Sequence, residues 1–238
     1  MVFVGTSGWN YSHWKKVFYP DGLPQREWLE YYLRFFSCVE LNVTFYRLVK
    51  QATFKNWYGR TPKNFCFAVK GSRFITHIKR LKDTKEALDL FVKNATGLKE
   101  KLALILWQLP PGFKKDINRL TIFLNLLKKT KLRHCFEFRN ESWFNEEVYR
   151  LLEEYNFSLC IAHSARFPCE KVVTADYLYL RFHGGDSLYS SNYSDKELKA
   201  WAKFARQFKK EKDIFVFFNN DSQGFAVKNA LRFKELLS

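Results

Sequence analysis

Eight short apolar runs alternate with helical patterns along this chain, and few folds accommodate that order. The runs fall at 2–9 (VFVGTSGW), 39–46 (VELNVTFY), 65–71 (FCFAVKG), 102–109 (LALILWQL), 134–139 (HCFEFR), 157–163 (FSLCIAH), 177–183 (YLYLRFH) and 214–220 (IFVFFNN). Each has the length and the β-branched or aromatic content of a strand. Between them apolar residues recur at helical spacing, as in Leu29, Tyr32, Leu33, Phe36, then Leu120, Phe123, Leu124, Leu127, then Val148, Leu151, Leu152, Tyr155. After the seventh run, SDKE reads as a capping box with Ser194 as N-cap and Glu197 three residues on, leading into Leu198, Trp201, Ala205 and Phe208. Asp116 and Asn145 read as N-caps of two further helices. Only SARFPCEKVVTAD, between runs six and seven, has no helical pattern.

Eight such units in 238 residues predict an α/β fold, a single (β/α)8 TIM barrel with an irregular or missing helix between strands 6 and 7. No Gly/Ser linker or short repeat divides the chain, so one domain over 1–238 is expected. The 47% of hydrophobic residues can fill a core of that size. The longest apolar runs fall well short of the roughly 18 to 20 residues of a membrane span. The N-terminal MVFVGTSGW lacks a basic region followed by an apolar core, so a cytoplasmic protein with no membrane partner is expected. Cys38, Cys66, Cys135, Cys160 and Cys169 form no C-x-x-C pair and read as small buried hydrophobes, not as disulfides or zinc ligands.

The net charge of +16 fits a polyanionic partner, a phosphate-bearing small molecule or nucleic acid, and equally a solvated lysine-rich surface. The runs KKTKLRH (128–134) and RQFKKEKD (206–213) precede strands, which in a TIM barrel is the end away from the active site. THIKRLKDTK (76–85) and the pair Lys114 and Lys115 follow strands and are better placed.

If the apolar face of each strand meets the helices, alternation directs a polar row inward. That row is Glu40, Asn42, Thr44 and Tyr46 on strand 2, Lys70 on 3, Gln108 on 4, Glu137 and Arg139 on 5, and Arg181 and His183 on 7. Strand 1 runs into Ser7 and Trp9, and strand 8 ends in Asn219, Asn220 and Asp221, whose facing the pattern leaves open.

Glu40 and Glu137, with His183, are the acid/base candidates; carboxylates about 5 to 10 Å apart also suit glycoside hydrolysis. Lys70, Arg139 and Arg181 make an anion clamp. Asn42, Gln108 and Asn219 would orient a substrate, and Trp9, Tyr46 and Trp143 would stack on it. The bland reading pairs the charges internally and uses the aromatics to pack loops. No cofactor is expected. A divalent metal would draw on Glu40, Glu137, His183 and Asp221, but no H-x-x-x-H or comparable spacing supports one. Ser7 in GTSGW does not match the G-x-S-x-G nucleophile elbow.

The segments GTSGWNYSHWKKVFYP, VELNVTFYRL, FAVKGSRFITHIKRL, LWQLPPGF, FEFRNESWF, TADYLYLRFHGGDSLYSSNYSD and FNNDSQGFAVKNA look, in order, like the motifs of the YecE-like family, a domain of unknown function. The match spans essentially the whole chain. It departs at Lys16, where a glycine is usual, and at Trp107 before Gln108. The resemblance implies a TIM barrel without a settled activity. Together with the charge pattern, the expected function is a hydrolase acting on a phosphate-bearing or nucleic-acid-derived substrate at the C-terminal ends of the strands. The alternatives are a non-catalytic nucleic-acid-binding protein and a sugar-active barrel, glycosidase or isomerase.

Overall fold

In the computed structural model, which describes residues 1–237, the expected strands and helices alternate along the chain. In order they are β1 (Val2–Thr6), α1 (Trp28–Tyr32), β2 (Cys38–Leu41), α2 (Val43–Tyr46), α3 (Gln51–Gly59), β3 (Cys66–Lys70), α4 (Lys85–Ala95), β4 (Leu102–Gln108), α5 (Ile117–Lys128), β5 (His134–Glu137), α6 (Glu146–Glu154), β6 (Ser158–His163), β7 (Tyr177–Phe182), α7 (Asp195–Arg206), β8 (Asp213–Phe218) and α8 (Phe225–Leu237). Among the described residues no helix joins β6 to β7, as the sequence suggests. The strands run in the order β1-β8-β7-β6-β5-β4-β3-β2. The pairings β1–β8, β7–β8, β3–β4, β4–β5 and β5–β6 are parallel. This is the α/β topology of a TIM barrel.

The strands are buried nearly end to end, as parallel strands covered on both faces must be. The caps form where the sequence puts them. Asp116 accepts from the Arg119 amide at 3.0 Å, and Asn145 from the Val148 amide at 3.3 Å. Ser194 and Glu197 complete a reciprocal capping box. Such caps contribute about 1 kcal/mol each.

Contacts divide the chain into two compact units, the first comprising 1–40, 161–169 and the segment from 176 on, the second 41–160 and 170–175. In the first, alternation on β7 turns Leu178, Leu180 and Phe182 one way and Tyr177, Tyr179 and Arg181 the other. Phe182 meets Trp201 of α7 at 5.3 Å and Phe233 of α8 at 5.5 Å, so the apolar face is the helix-facing one.

In the second unit Trp107 on β4 plays the same part, packing on Phe91 of α4 at 5.7 Å and Phe123 of α5 at 5.1 Å. Burying an aromatic of this size contributes roughly 1.5–3 kcal/mol. Its indole N–H donates to His134 Nδ1 at 3.1 Å. With that nitrogen accepting, His134 Nε2 carries the proton and donates to Thr130 Oγ1 at 2.8 Å, and Thr130 passes its own proton to the Leu127 carbonyl at 2.7 Å. Burial pushes the fully enclosed imidazole down to about 3, so it stays neutral. Gly71 follows β3 against the same indole: a Cβ there would lie 2.2 Å from a Trp107 ring carbon.

The second strand gives way to a helix before its expected end. The alternation of 39–46 predicts a strand throughout, but β2 stops at Leu41 and residues 43–46 form one helical turn. The Thr44 hydroxyl lies 2.9 Å from the Leu41 carbonyl and 2.6 Å from that of Lys70. It takes over carbonyl partners that a continued ladder would otherwise supply, and the chain can turn. Among the described residues no disulfide joins the five cysteines, and four of them are buried. No helix among the described residues is long and apolar enough to cross a membrane.

Candidate functional site

In the first unit the polar residues form a closed hydrogen-bond group around Glu40. Glu40, one residue before the end of β2, is fully buried. It accepts from Ser7 Oγ at 2.7 Å, from Tyr179 OH at 2.5 Å and from Arg181 Nη2 at 2.7 Å. Tyr179 and Arg181 reach it because they are two apart on β7 and share a face. Burial pushes the Glu40 carboxyl up, but the Arg181 charge and the hydrogen bonds from Arg181, Tyr179 and Ser7 outweigh it and hold the group below the ordinary carboxylate value. An acid held ionised by two hydroxyl donors and a guanidinium is poorly suited to proton transfer. It is ion-paired with Arg181, and the Ser7 hydroxyl donates to it.

The group continues outward. Arg181 Nη1 lies 3.4 Å from His183 Nε2, and His183 Nδ1 lies 3.1 Å from the Asn219 side-chain amide. Arginine only donates, so Nε2 accepts, the proton sits on Nδ1, and the Asn219 amide must turn its oxygen toward it. His183 is fully buried, with Tyr189 edge-on at 5.5 Å. Asn220 donates to the Ser191 carbonyl and to Asn229, fastening the loop after β7. Asp221 accepts from the Trp14 indole at 2.6 Å and pairs with His13 at 2.8 Å. Burial raises the Asp221 carboxyl against these two partners. Trp9 is half-buried, and its carbonyl accepts from the Tyr19 hydroxyl.

In the second unit the register of β4 on β5 sets Gln108 beside Glu137 at the C-terminal ends of the two strands. Glu137 Oε1 accepts from Gln108 Nε2 at 2.7 Å and from Arg139 Nε at 2.8 Å. Glu137 is buried, while Arg139 keeps 12% of its side chain exposed. Lys70, ending β3, is buried with its ammonium 4.1 Å over the Phe45 ring. The segment after β3 forms a π-helix, Phe74–Ile78, of the kind that often marks functional sites. It buries Ile75 and Thr76 and presents His77 edge-on to Phe45 at 4.9 Å. Burial pushes His77 down to about 4, helped by Lys70, Arg139 and Arg73 and opposed by Glu137.

Arg139 lies two residues past the end of β5 and His183 one residue past β7, and three more of the expected site residues sit otherwise than the sequence suggests. Tyr46 does not climb the inner face of a strand; it lies on the turn α2 and is 75% exposed. Asn42 falls just past the end of β2, half-buried. Trp143 is fully buried, stacked on Phe138 at 4.8 Å with its indole donating to the Phe113 carbonyl, so it packs the loop after β5. Two residues beside these polar groups are absent from the sequence expectation, Tyr179 and His77. Tyr179 was legible, since it shares Arg181's face; His77 was not, since the basic run around it signals charge and says nothing of where a loop imidazole lands. Among the described residues no group of three His, Cys, Asp or Glu is arranged to hold a metal ion.

A model of the family described as protein of unknown function DUF72 matches residues 3–238. The UPF0759 protein YunF of Bacillus subtilis is 28% identical over 100% of this chain and 95% of its own length. The UPF0759 protein YecE of Escherichia coli is 25% identical over 79% of this chain and 76% of its own. A crystal structure of a DUF72 family protein from Thermotoga maritima is 33% identical, with a TM-score of 0.89 over 100% of this chain and 99% of that one.

Proposed function

The chain belongs to the DUF72 family of proteins of unknown function, and from that premise we propose that it is a hydrolase whose substrate carries a phosphate, held at the C-terminal ends of β3, β4 and β5. The observation that carries the reading is the gathering of cations at these strand ends: Lys70 is buried at the end of β3 with its ammonium over the Phe45 ring, Arg139 pairs with Glu137 after β5, and both act with Arg73 on the half-buried His77. A neutral imidazole and surplus positive charge at strand ends suit a ligand that brings negative charge of its own. Lys70 and Arg139 hold the phosphate, Arg139 by its planar fork. Glu137, oriented by Gln108 and Arg139, is the general base for a water, and His77 gives or takes a proton close by. Glu40 and Arg181 serve as the buried ion pair of the first unit, which removes Glu40 from the acid/base role.

Calorimetric titration with inorganic phosphate, followed by a panel of phosphorylated substrates, tests this. Phosphate should bind at neutral pH, and Lys70→Ala or Arg139→Ala should weaken it by about tenfold or more, the worth of a hydrogen bond to a charged group. Glu137→Gln should bind phosphate and fail to turn over any substrate found. Absence of phosphate binding, or binding indifferent to both cations, overturns the reading.

A further inference from the structure

Beside the Lys70 cluster the second unit opens a surface pocket of about 520 Å3, within the roughly 300–1,000 Å3 typical of small-ligand sites. Of the nine large apolar side chains left exposed among the described residues, five line it: Tyr46, Leu48, Phe74, Ile78 and Leu90. Scattered exposed hydrophobes need no explanation, but a majority gathered around one concavity does. Arg47 and Arg73 share the lining, both exposed, and neither has an acidic partner among the described residues. Phe45 is the wall common to pocket and cluster, with Lys70 over its ring at 4.1 Å, His77 edge-on at 4.9 Å and Tyr46 edge-on at 5.0 Å. Arg73 also belongs to both, lining the pocket and acting on His77.

An acyl chain would fill the apolar lining but leave two guanidinium groups without a counter-charge. A bare sugar phosphate would satisfy the arginines and leave the two exposed rings unused. One ligand chemistry answers both: a flat aromatic base joined to a phosphate, since bases stack on aromatic side chains and arginine both stacks and pairs with phosphate. We propose that this pocket takes the base of a nucleotide against the rings of Tyr46 and Phe74, with its phosphate meeting Arg73 at the edge shared with the Lys70 cluster. The placement of the phosphate rests on the function proposed above; the placement of the base rests on the pocket alone.

Equilibrium binding of AMP, adenosine, ribose 5-phosphate and a short 5′-phosphorylated oligoadenylate to the full chain and to Phe74→Ala and Tyr46→Ala tests it. Both residues are exposed, so the variants should fold. AMP or the oligoadenylate should bind about five- to a hundredfold tighter than ribose 5-phosphate, the range expected for one stacked base. That advantage should shrink to about twofold or less in both variants, with ribose 5-phosphate affinity unchanged. Whichever of the two binds tighter tells whether the base belongs to a free nucleotide or to a strand. Adenosine binding as well as AMP, with the same loss in the variants, upholds the base pocket and overturns the phosphate reading. No preference over ribose 5-phosphate, or a preference that survives both substitutions, overturns the pocket assignment.

Discussion

Arg181 Nη2 lies 2.7 Å from Glu40 Oε1, and both side chains are fully buried. Neither charge has water to fall back on: Glu40 is held by Arg181 and by the hydroxyls of Ser7 and Tyr179, and Arg181 is balanced by Glu40. Removing one partner of such a pair costs about 3–5 kcal/mol, because the other is left as an uncompensated buried charge. Glu40→Gln should therefore lower the urea midpoint by an amount in that range. A loss below about 1 kcal/mol would mean that the guanidinium finds another partner.

His77 should titrate far below an ordinary histidine. Its folded value of about 4 lies under the roughly 6.5 of an unfolded chain, so the fold favours the neutral form. The stability it contributes is fully present above about pH 6.5 and declines as pH falls from there toward 4. Side-chain nitrogen NMR should place its midpoint near 4 in the free protein, and a bound phosphate dianion should move that midpoint upward by favouring the imidazolium. A midpoint that ignores phosphate would locate any anion site elsewhere.

Gly71→Ala probes how firmly Trp107 is held. The added Cβ would lie 2.2 Å from the indole, which is buried and tied to His134, so it cannot simply swing aside. Overpacking of this kind costs about 1–3 kcal/mol. Thermal unfolding of the variant should show that loss; an unchanged midpoint would mean that the strand end shifts freely.

Ser194→Ala removes the hydroxyl side of the capping box at the start of α7. The expected loss is about 1 kcal/mol by urea denaturation, with Ser194→Asp retaining most of the stability. Equal losses in both would make the site insensitive to capping.

Much of this was legible. The eight strands, the missing helix before β7, the caps at Asp116, Asn145 and Ser194, and the pairing of an apolar outer face with a polar inner one follow from period-two alternation, helical spacing and cap chemistry, all local signals. Val43–Tyr46 reads as strand because VTFY continues a perfect alternation. What ends β2 at Leu41 is not local: Thr44 finds the Lys70 carbonyl on a different strand. His77 was passed over for a related reason, since its position depends on how the π-helix buries Ile75 and Thr76.

The architecture and the identity of the polar row are legible along the chain, because periodicity and capping are properties of neighbouring residues. The surroundings of each polar residue come from the folded molecule. Glu40 and Glu137 look alike in sequence, each an acid near the end of a strand. One is saturated by Ser7, Tyr179 and Arg181 in full burial, and the other shares its oxygen with Gln108 and a partly exposed Arg139. Ionisation and reactivity are set by the dielectric and the donors within a few ångströms, and those come from strands far apart in the chain.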